Sequence, residues 1–132
     1  MINDNFGKKC LLVFKFGWSK YFNDSQKYLG QTNDGTELSF PGLSLEVAEW
    51  IVSSYKNIVG IGVDVASVDP GSSLNFPVHK TFAKAGLYSV ENIKLNTKIP
   101  DYGCLALVMP MKILRGSGAP TRLVAVCPKS II

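Results

Sequence analysis

His79 is the single histidine among 132 residues. Imidazole is the commonest metal ligand and a frequent proton carrier, although a lone histidine is ordinarily a surface or packed residue. Glu91 comes directly after the apolar run 87–90. A histidine and a carboxylate on adjacent elements suit one divalent cation, but catalytic zinc takes three protein ligands and a water. No second histidine exists to complete such a set. Asp64 and Asp69 are the nearest further carboxylates, and a strand end and a turn account for them. A serine triad can be assembled by inventory from Ser67 or Ser117 with His79. The chain has no G-x-S-x-G elbow to present such a nucleophile, and Ser67 lies between two acids, a poor place to build up an oxyanion. Gly116-Ser117-Gly118 lacks the G-K-[ST] ending of a phosphate-binding loop and reads as a hairpin connection.

The elements that must position these groups follow from hydrophobic patterning. Cys10–Phe16 is apolar, rich in strand formers and reads as a buried strand. Residues 21–38 are polar and glycine-containing, which predicts a loop or short hairpin. Ser44 is a good N-cap, its hydroxyl able to accept from a first-turn amide, and Glu46 suits the positive end of the helix dipole. Leu45, Ala48, Ile51, Val52 and Tyr55 then recur at helical spacing, predicting an amphipathic helix that ends near Lys56-Asn57. Ile58–Val65 is apolar on both faces, as in a strand covered by other layers. Strand, helix and strand within about 55 residues make one βαβ crossover. Val68-Asp69-Pro70-Gly71 predicts a turn. Pro77–Ala85 predicts a short helix closed by Gly86. Leu87–Val90, Cys104–Met109 and Arg122–Val126 complete about five strands and two helices in a mixed α/β domain.

Composition bounds the function. Hydrophobic residues make up 46% and charged residues 18%, which is globular rather than disordered. The apolar share is rich for this length, so a buried oligomer face or a further covering segment is expected. Net charge is +4, but the basic residues are scattered and no zinc-finger or aromatic RNA-binding signature exists, so no nucleic-acid partner is expected. Leu11–Phe14 is too short for a signal or a membrane span, so no membrane association is expected either. Three distant cysteines with no C-x-x-C pair predict reduced thiols in a cytoplasmic protein, with Cys10 and Cys104 as small core hydrophobes.

The order of several motifs is more specific than any one of them. Gly17-Trp18-Ser19-Lys20-Tyr21-Phe22, Pro41-Gly42-Leu43-Ser44-Leu45-Glu46, Gly60-Ile61-Gly62-Val63-Asp64 with Ser67-Val68-Asp69-Pro70-Gly71, His79 followed by Glu91-Asn92, and Gly116-Ser117-Gly118-Ala119-Pro120 with Arg122 occur in succession. From about Leu11 to Val126 the chain resembles the C-terminal part of the cyclase family, the kynurenine formamidase and isatin hydrolase-like metal-dependent hydrolases. The family's T-G-W-S segment differs here, with Phe16 in place of the threonine.

The resemblance implies a partial swivelling β/β/α-type domain over residues 1–132, homo-oligomers, and hydrolysis of a small amide or formamide such as N-formylkynurenine. It implies a divalent metal, zinc or manganese, with His79 and Glu91 matching two of the ligands. The family's H-x-G-T-H-x-D-x-P-x-H motif supplies the others, and this sequence does not contain it. A non-catalytic truncated homologue or interaction module is therefore the alternative expectation. Trp18 is expected to be a structural tryptophan rather than the wall of an aromatic substrate pocket.

Overall fold

A computed structural model describes residues 8–32, 34–95 and 98–129. The chain divides into two compact units, Met1–Lys94 and Leu95–Ile132, each with its own sheet. The segment where they divide has no glycine-rich or proline-rich composition to mark it as a linker in the sequence.

In the first unit, β1 (Cys10–Phe14) leads to a 3-10 turn (Trp18–Tyr21) and a one-turn helix α1 (Ser25–Leu29). Helix α2 (Leu45–Ser54), β2 (Ile58–Val63), α3 (Pro77–Lys84) and β3 (Tyr88–Val90) follow. The sheet order is β1-β2-β3 and both pairings are parallel. Two consecutive βαβ crossovers therefore build it, the first as expected from sequence and the second through α3. Ser44 caps α2 by accepting from the Val47 amide at 3.3 Å. Ala48 and Ile51 carry the buried stripe of α2, while Leu45 at the helix start is exposed.

Alternation along the sheet explains the core. Leu12 and Phe14 of β1 share a face with Ile61 and Val63 of β2, and all pack with Ala48 and Ile51 of α2 and Val78 and Phe82 of α3. The opposite face carries Gly60 and Gly62. A Cβ on Gly60 would lie 2.4 Å from the Tyr88 ring, and one on Gly62 would lie 2.7 Å from the Ile93 side chain. Those two side chains fold over β2, so the strand is buried on both faces even though the helical core lies on one. Glycine in a strand often marks such close approach.

Two expectations are corrected in this unit. Residues 25–29 form a helix where a loop or hairpin was expected, so the described residues hold three α-helices rather than two. Asp24 accepts from the Lys27 amide and Gly30 closes the turn, a local capping solution too short to leave a periodic apolar stripe. Also, β1 ends at Phe14 and is only partly buried. It lies at the sheet edge, paired with β2 alone among the described residues.

The second unit is an antiparallel hairpin of β4 (Leu105–Pro110) and β5 (Thr121–Val126). Residues 111–120 connect the strands, and the Met111 amide donating to the Pro120 carbonyl closes the connection. One step beyond the Leu105–Val126 pair, Cys104 and Cys127 face each other with Cα atoms 4.2 Å apart and form a disulfide. This overturns the expectation of reduced thiols and of Cys104 as a core hydrophobe. Hairpin register, not sequence spacing, brings the two sulfurs together, and only Cys10 is free. Part of the apolar surplus of the composition lies on this hairpin, where Leu105, Met111, Leu114 and Val126 are exposed. Among the described residues, no helix is long and apolar enough to cross a membrane.

Candidate metal centre

The carboxyl ends of parallel strands are where open α/β sheets usually bind ligands, and the polar groups of this chain collect there. Asp64, the residue after β2, is fully buried. Its Oδ1 accepts from the Phe16 amide at 2.7 Å, and its Oδ2 accepts from the Trp18 amide at 2.8 Å and from the Ser19 amide and hydroxyl, both at 3.3 Å. Asp64 is thus occupied in holding the segment after β1 against the end of β2. A carboxylate saturated in this way is structural, as its strand-end position suggested.

Asp69 does something different. It is also fully buried, in the turn that follows β2. Helix α3 begins at Pro77 after Phe76, whose backbone is left-handed and whose side chain caps nothing. The orphan amides of the first turn need an acceptor. Asp69 supplies it from nine and ten residues earlier: Oδ1 accepts from the Val78 amide at 2.9 Å and Oδ2 from the His79 amide at 3.0 Å. A negative group there also complements the helix dipole. The same Oδ2 lies 2.7 Å from Nδ1 of the His79 ring.

The other ring nitrogen, Nε2, lies 3.1 Å from Oε1 of Glu91. That oxygen also accepts from the Val68 amide at 3.0 Å, so the turn after β2 holds the Glu91 carboxylate in place. The His79 side chain is 41% exposed and Glu91 27%, against 0% for Asp69. The pair of donor atoms therefore opens toward solvent while the back of the ring is sealed. Next to Glu91, Asn92 has positive φ and accepts from the Tyr28 hydroxyl through Oδ1 at 2.9 Å. Burial pushes the Tyr28 phenol up, and the nearby negative charges of Asp64 and Glu91 push it further, which keeps it a hydrogen-bond donor.

This geometry fits a divalent cation. A neutral imidazole has one N–H, yet carboxylates face both of its nitrogens. One contact must then set a nitrogen lone pair against a carboxylate oxygen, unless a proton or a metal ion lies between them. Metal–donor distances of about 2.0–2.2 Å allow a nitrogen and an oxygen 3.1 Å apart to occupy neighbouring positions around one ion. The donor set, imidazole plus carboxylate, suits zinc or manganese. Among the described residues no group of three or more candidate ligands is gathered for a metal.

The remaining sequence candidates separate from this cluster. Ser67 Oγ accepts from the Asp69 amide at 3.1 Å, a turn contact, not a nucleophile–base pair. Ser117 lies in the hairpin unit. The Trp18 indole donates to the Tyr28 carbonyl at 2.7 Å and packs against the core, the structural role expected for it. Sequence reasoning missed the link between Asp69 and His79. Its signal was a turn acid followed by a helix that starts on proline with no acceptor of its own.

The sequence signature described as "Putative cyclase" matches residues 2–70. The chain belongs to the cyclase family. Among curated cyclase-family proteins, the kynurenine formamidase of Polaromonas naphthalenivorans is 38% identical over 69 residues, 52% of this chain and 30% of that protein. The isatin hydrolase of Roseibium aggregatum is 28% identical over 123 residues, 90% of this chain and 45% of that protein. The solved structure of isatin hydrolase A from Ralstonia solanacearum superposes with a TM-score of 0.81 at 28% identity, covering 92% of this chain and 46% of that one. The mixed α/β fold is thus that of isatin hydrolase, and the chain spans less than half the length of these relatives.

Within this cyclase-family fold, Gly42 ties the segment before α2 to the turn that carries Asp69. A Cβ there would lie 2.2 Å from the Pro70 nitrogen and 2.4 Å from the Asp69 carbonyl carbon, backbone atoms that cannot rotate away. Gly42→Ala is expected to cost about 1–3 kcal/mol of stability, the usual range for overpacking, and to displace Asp69. Urea denaturation checks the first effect and the His79 ring chemical shifts check the second. A variant with wild-type midpoint and wild-type shifts counts against this close packing.

Proposed function

We propose that this chain carries the His79/Glu91 part of a divalent-metal site in a cyclase-family hydrolase acting on a small amide or formamide, with N-formylkynurenine as the first substrate to try. The observation that carries this reading is the 3.1 Å approach of His79 Nε2 to Glu91 Oε1, with the far side of the ring already engaged by Asp69. When bound there, zinc or manganese supplies a water acidic enough to attack a carbonyl. The chain's own part is to present Nε2 as a neutral donor, to hold the Glu91 carboxylate through the Val68 amide, and to seal the site from behind with Asp69. The remaining ligands come from beyond the described residues, from a further segment of a longer protein or from a second chain in a homo-oligomer. The family relationship and the fold support this reading.

A second reading, a binding module without catalysis, is favoured by the lack of a third ligand among the described residues. Calorimetric titration with zinc and with manganese tests the first reading. The wild-type chain is expected to bind one ion, with affinity lost in His79→Ala and reduced at least 10-fold in Glu91→Gln. If neither ion binds the wild type, alone or together with the segment or second chain that supplies the remaining ligands, the metal reading is wrong. If an ion binds but no N-formylkynurenine is hydrolysed in its presence, the module reading gains.

A further inference from the structure

We infer that Asp69 is a positioning residue that fixes the tautomer of His79, placing the ring proton on Nδ1 and leaving the Nε2 lone pair for the cation. The role of Nε2 as a metal donor rests on the function proposed above, whereas the tautomer assignment stands on geometry alone.

Two carboxylates compete for one ring proton, and three observations favour Asp69. Its contact is shorter, 2.7 Å against 3.1 Å for Glu91. Asp69 is fully buried whereas Glu91 is partly solvated, and a hydrogen bond to a charged acceptor is stronger where the local dielectric is low. Asp69 is also pinned by the Val78 and His79 amides, so it cannot turn away when the ring rotates.

The consequence is directional. A proton on Nε2 would block the solvent-facing nitrogen and leave the buried one as the donor, where no cation can reach. Carboxylates behind metal-bound histidines generally set ring orientation and donor strength, and their loss lowers metal affinity about 10–100-fold. Here the same buried side chain also closes the first turn of α3. One residue thereby couples the start of the helix to the choice of ring nitrogen.

Because the chain holds one histidine, the imidazole is observable without assignment ambiguity. The experiment is a long-range 1H–15N correlation spectrum of the protein labelled with 15N-histidine, recorded metal-free where the ring is neutral. It is repeated on Asp69→Asn and on Glu91→Gln, with zinc titrations of all three. The wild type is expected to show the Nδ1–H pattern and Glu91→Gln to retain it. Asp69→Asn, whose amide can donate to Nδ1, is expected to move toward the Nε2–H pattern, with zinc affinity reduced 10–100-fold.

A wild-type ring protonated on Nε2 overturns the inference, and this spectrum decides even if Asp69→Asn does not fold. A folded Asp69→Asn with an unchanged tautomer overturns it as well. If the tautomer shifts as expected but wild type and variant both ignore zinc even with the segment or second chain that supplies the remaining ligands, the positioning role stands and the metal reading falls.

Discussion

Phe82→Ala should lower the stability of the first unit by about 3–5 kcal/mol, the range for removing a large buried aromatic ring. Phe82 is 1% exposed and is the largest fully buried side chain among the described residues. Helix α3 buries only Val78 and Phe82, so the change removes one of its two anchors. Neighbouring Ile51 and Ile61 are held in α2 and β2 and cannot collapse far into the space left. Small domains are stable by about 5–15 kcal/mol, so the loss is a large share of the total. His79 sits one turn before Phe82 on the same helix, and zinc affinity should fall with stability. Urea denaturation gives the stability directly. A loss under about 1 kcal/mol would show that the core repacks around the gap, and that α3 is held by something other than Phe82.

Asp64→Ala should cost about 2–4 kcal/mol by a different mechanism. The amides of Phe16 and Trp18 donate to this carboxylate at 2.7 and 2.8 Å, and each buried donor stripped of its acceptor costs about 1–3 kcal/mol. The segment is only part-buried, so water satisfies some of the lost bonds and the upper end of the range is not reached. Asp64→Asn should fall between wild type and Ala, because one oxygen still accepts while the new N–H₂ opposes either the Phe16 amide or the Trp18 and Ser19 amides. Trp18 lies within the released segment, so its fluorescence should change in Asp64→Ala even below the unfolding transition. Wild-type fluorescence and midpoint together would mean that the apolar contacts of Phe16 and Trp18 suffice to hold the segment.

The contrast between these two positions explains what could be read from the sequence. Strand β2, helix α2 and the crossover from β1 were legible because burial on one or both faces imposes a period, and Ser44 announces the helix. The one-turn helix Ser25–Leu29 imposes none, since a single capped turn has no repeating stripe. The Cys104–Cys127 bridge depends on hairpin register, which the spacing of the two cysteines does not encode. Glu91 and His79 were singled out by position and resemblance, and the fold brings them within 3.1 Å of each other. Asp69 was read as a turn former, which it is. Its second task at His79 arises only because the helix that follows lacks an acceptor, a three-dimensional shortage that appears once the chain is folded.

The pairing of β1 with β2 has a consequence in time. Phe14 of β1 pairs with Val63, so the first strand leaves the ribosome about 50 residues ahead of its partner. At about 5–20 residues per second, that is a wait of about 2–10 s in which Cys10–Phe14 is a short apolar run of high strand propensity whose partner β2 has not yet emerged. Such runs pair with whatever edge they meet unless charge interrupts them. Lys8, Lys9 and Lys15 flank this one on both sides and stay exposed in the folded unit. Three lysines that stand outside the ion pairs of the described residues thus put charge beside a nascent strand during synthesis.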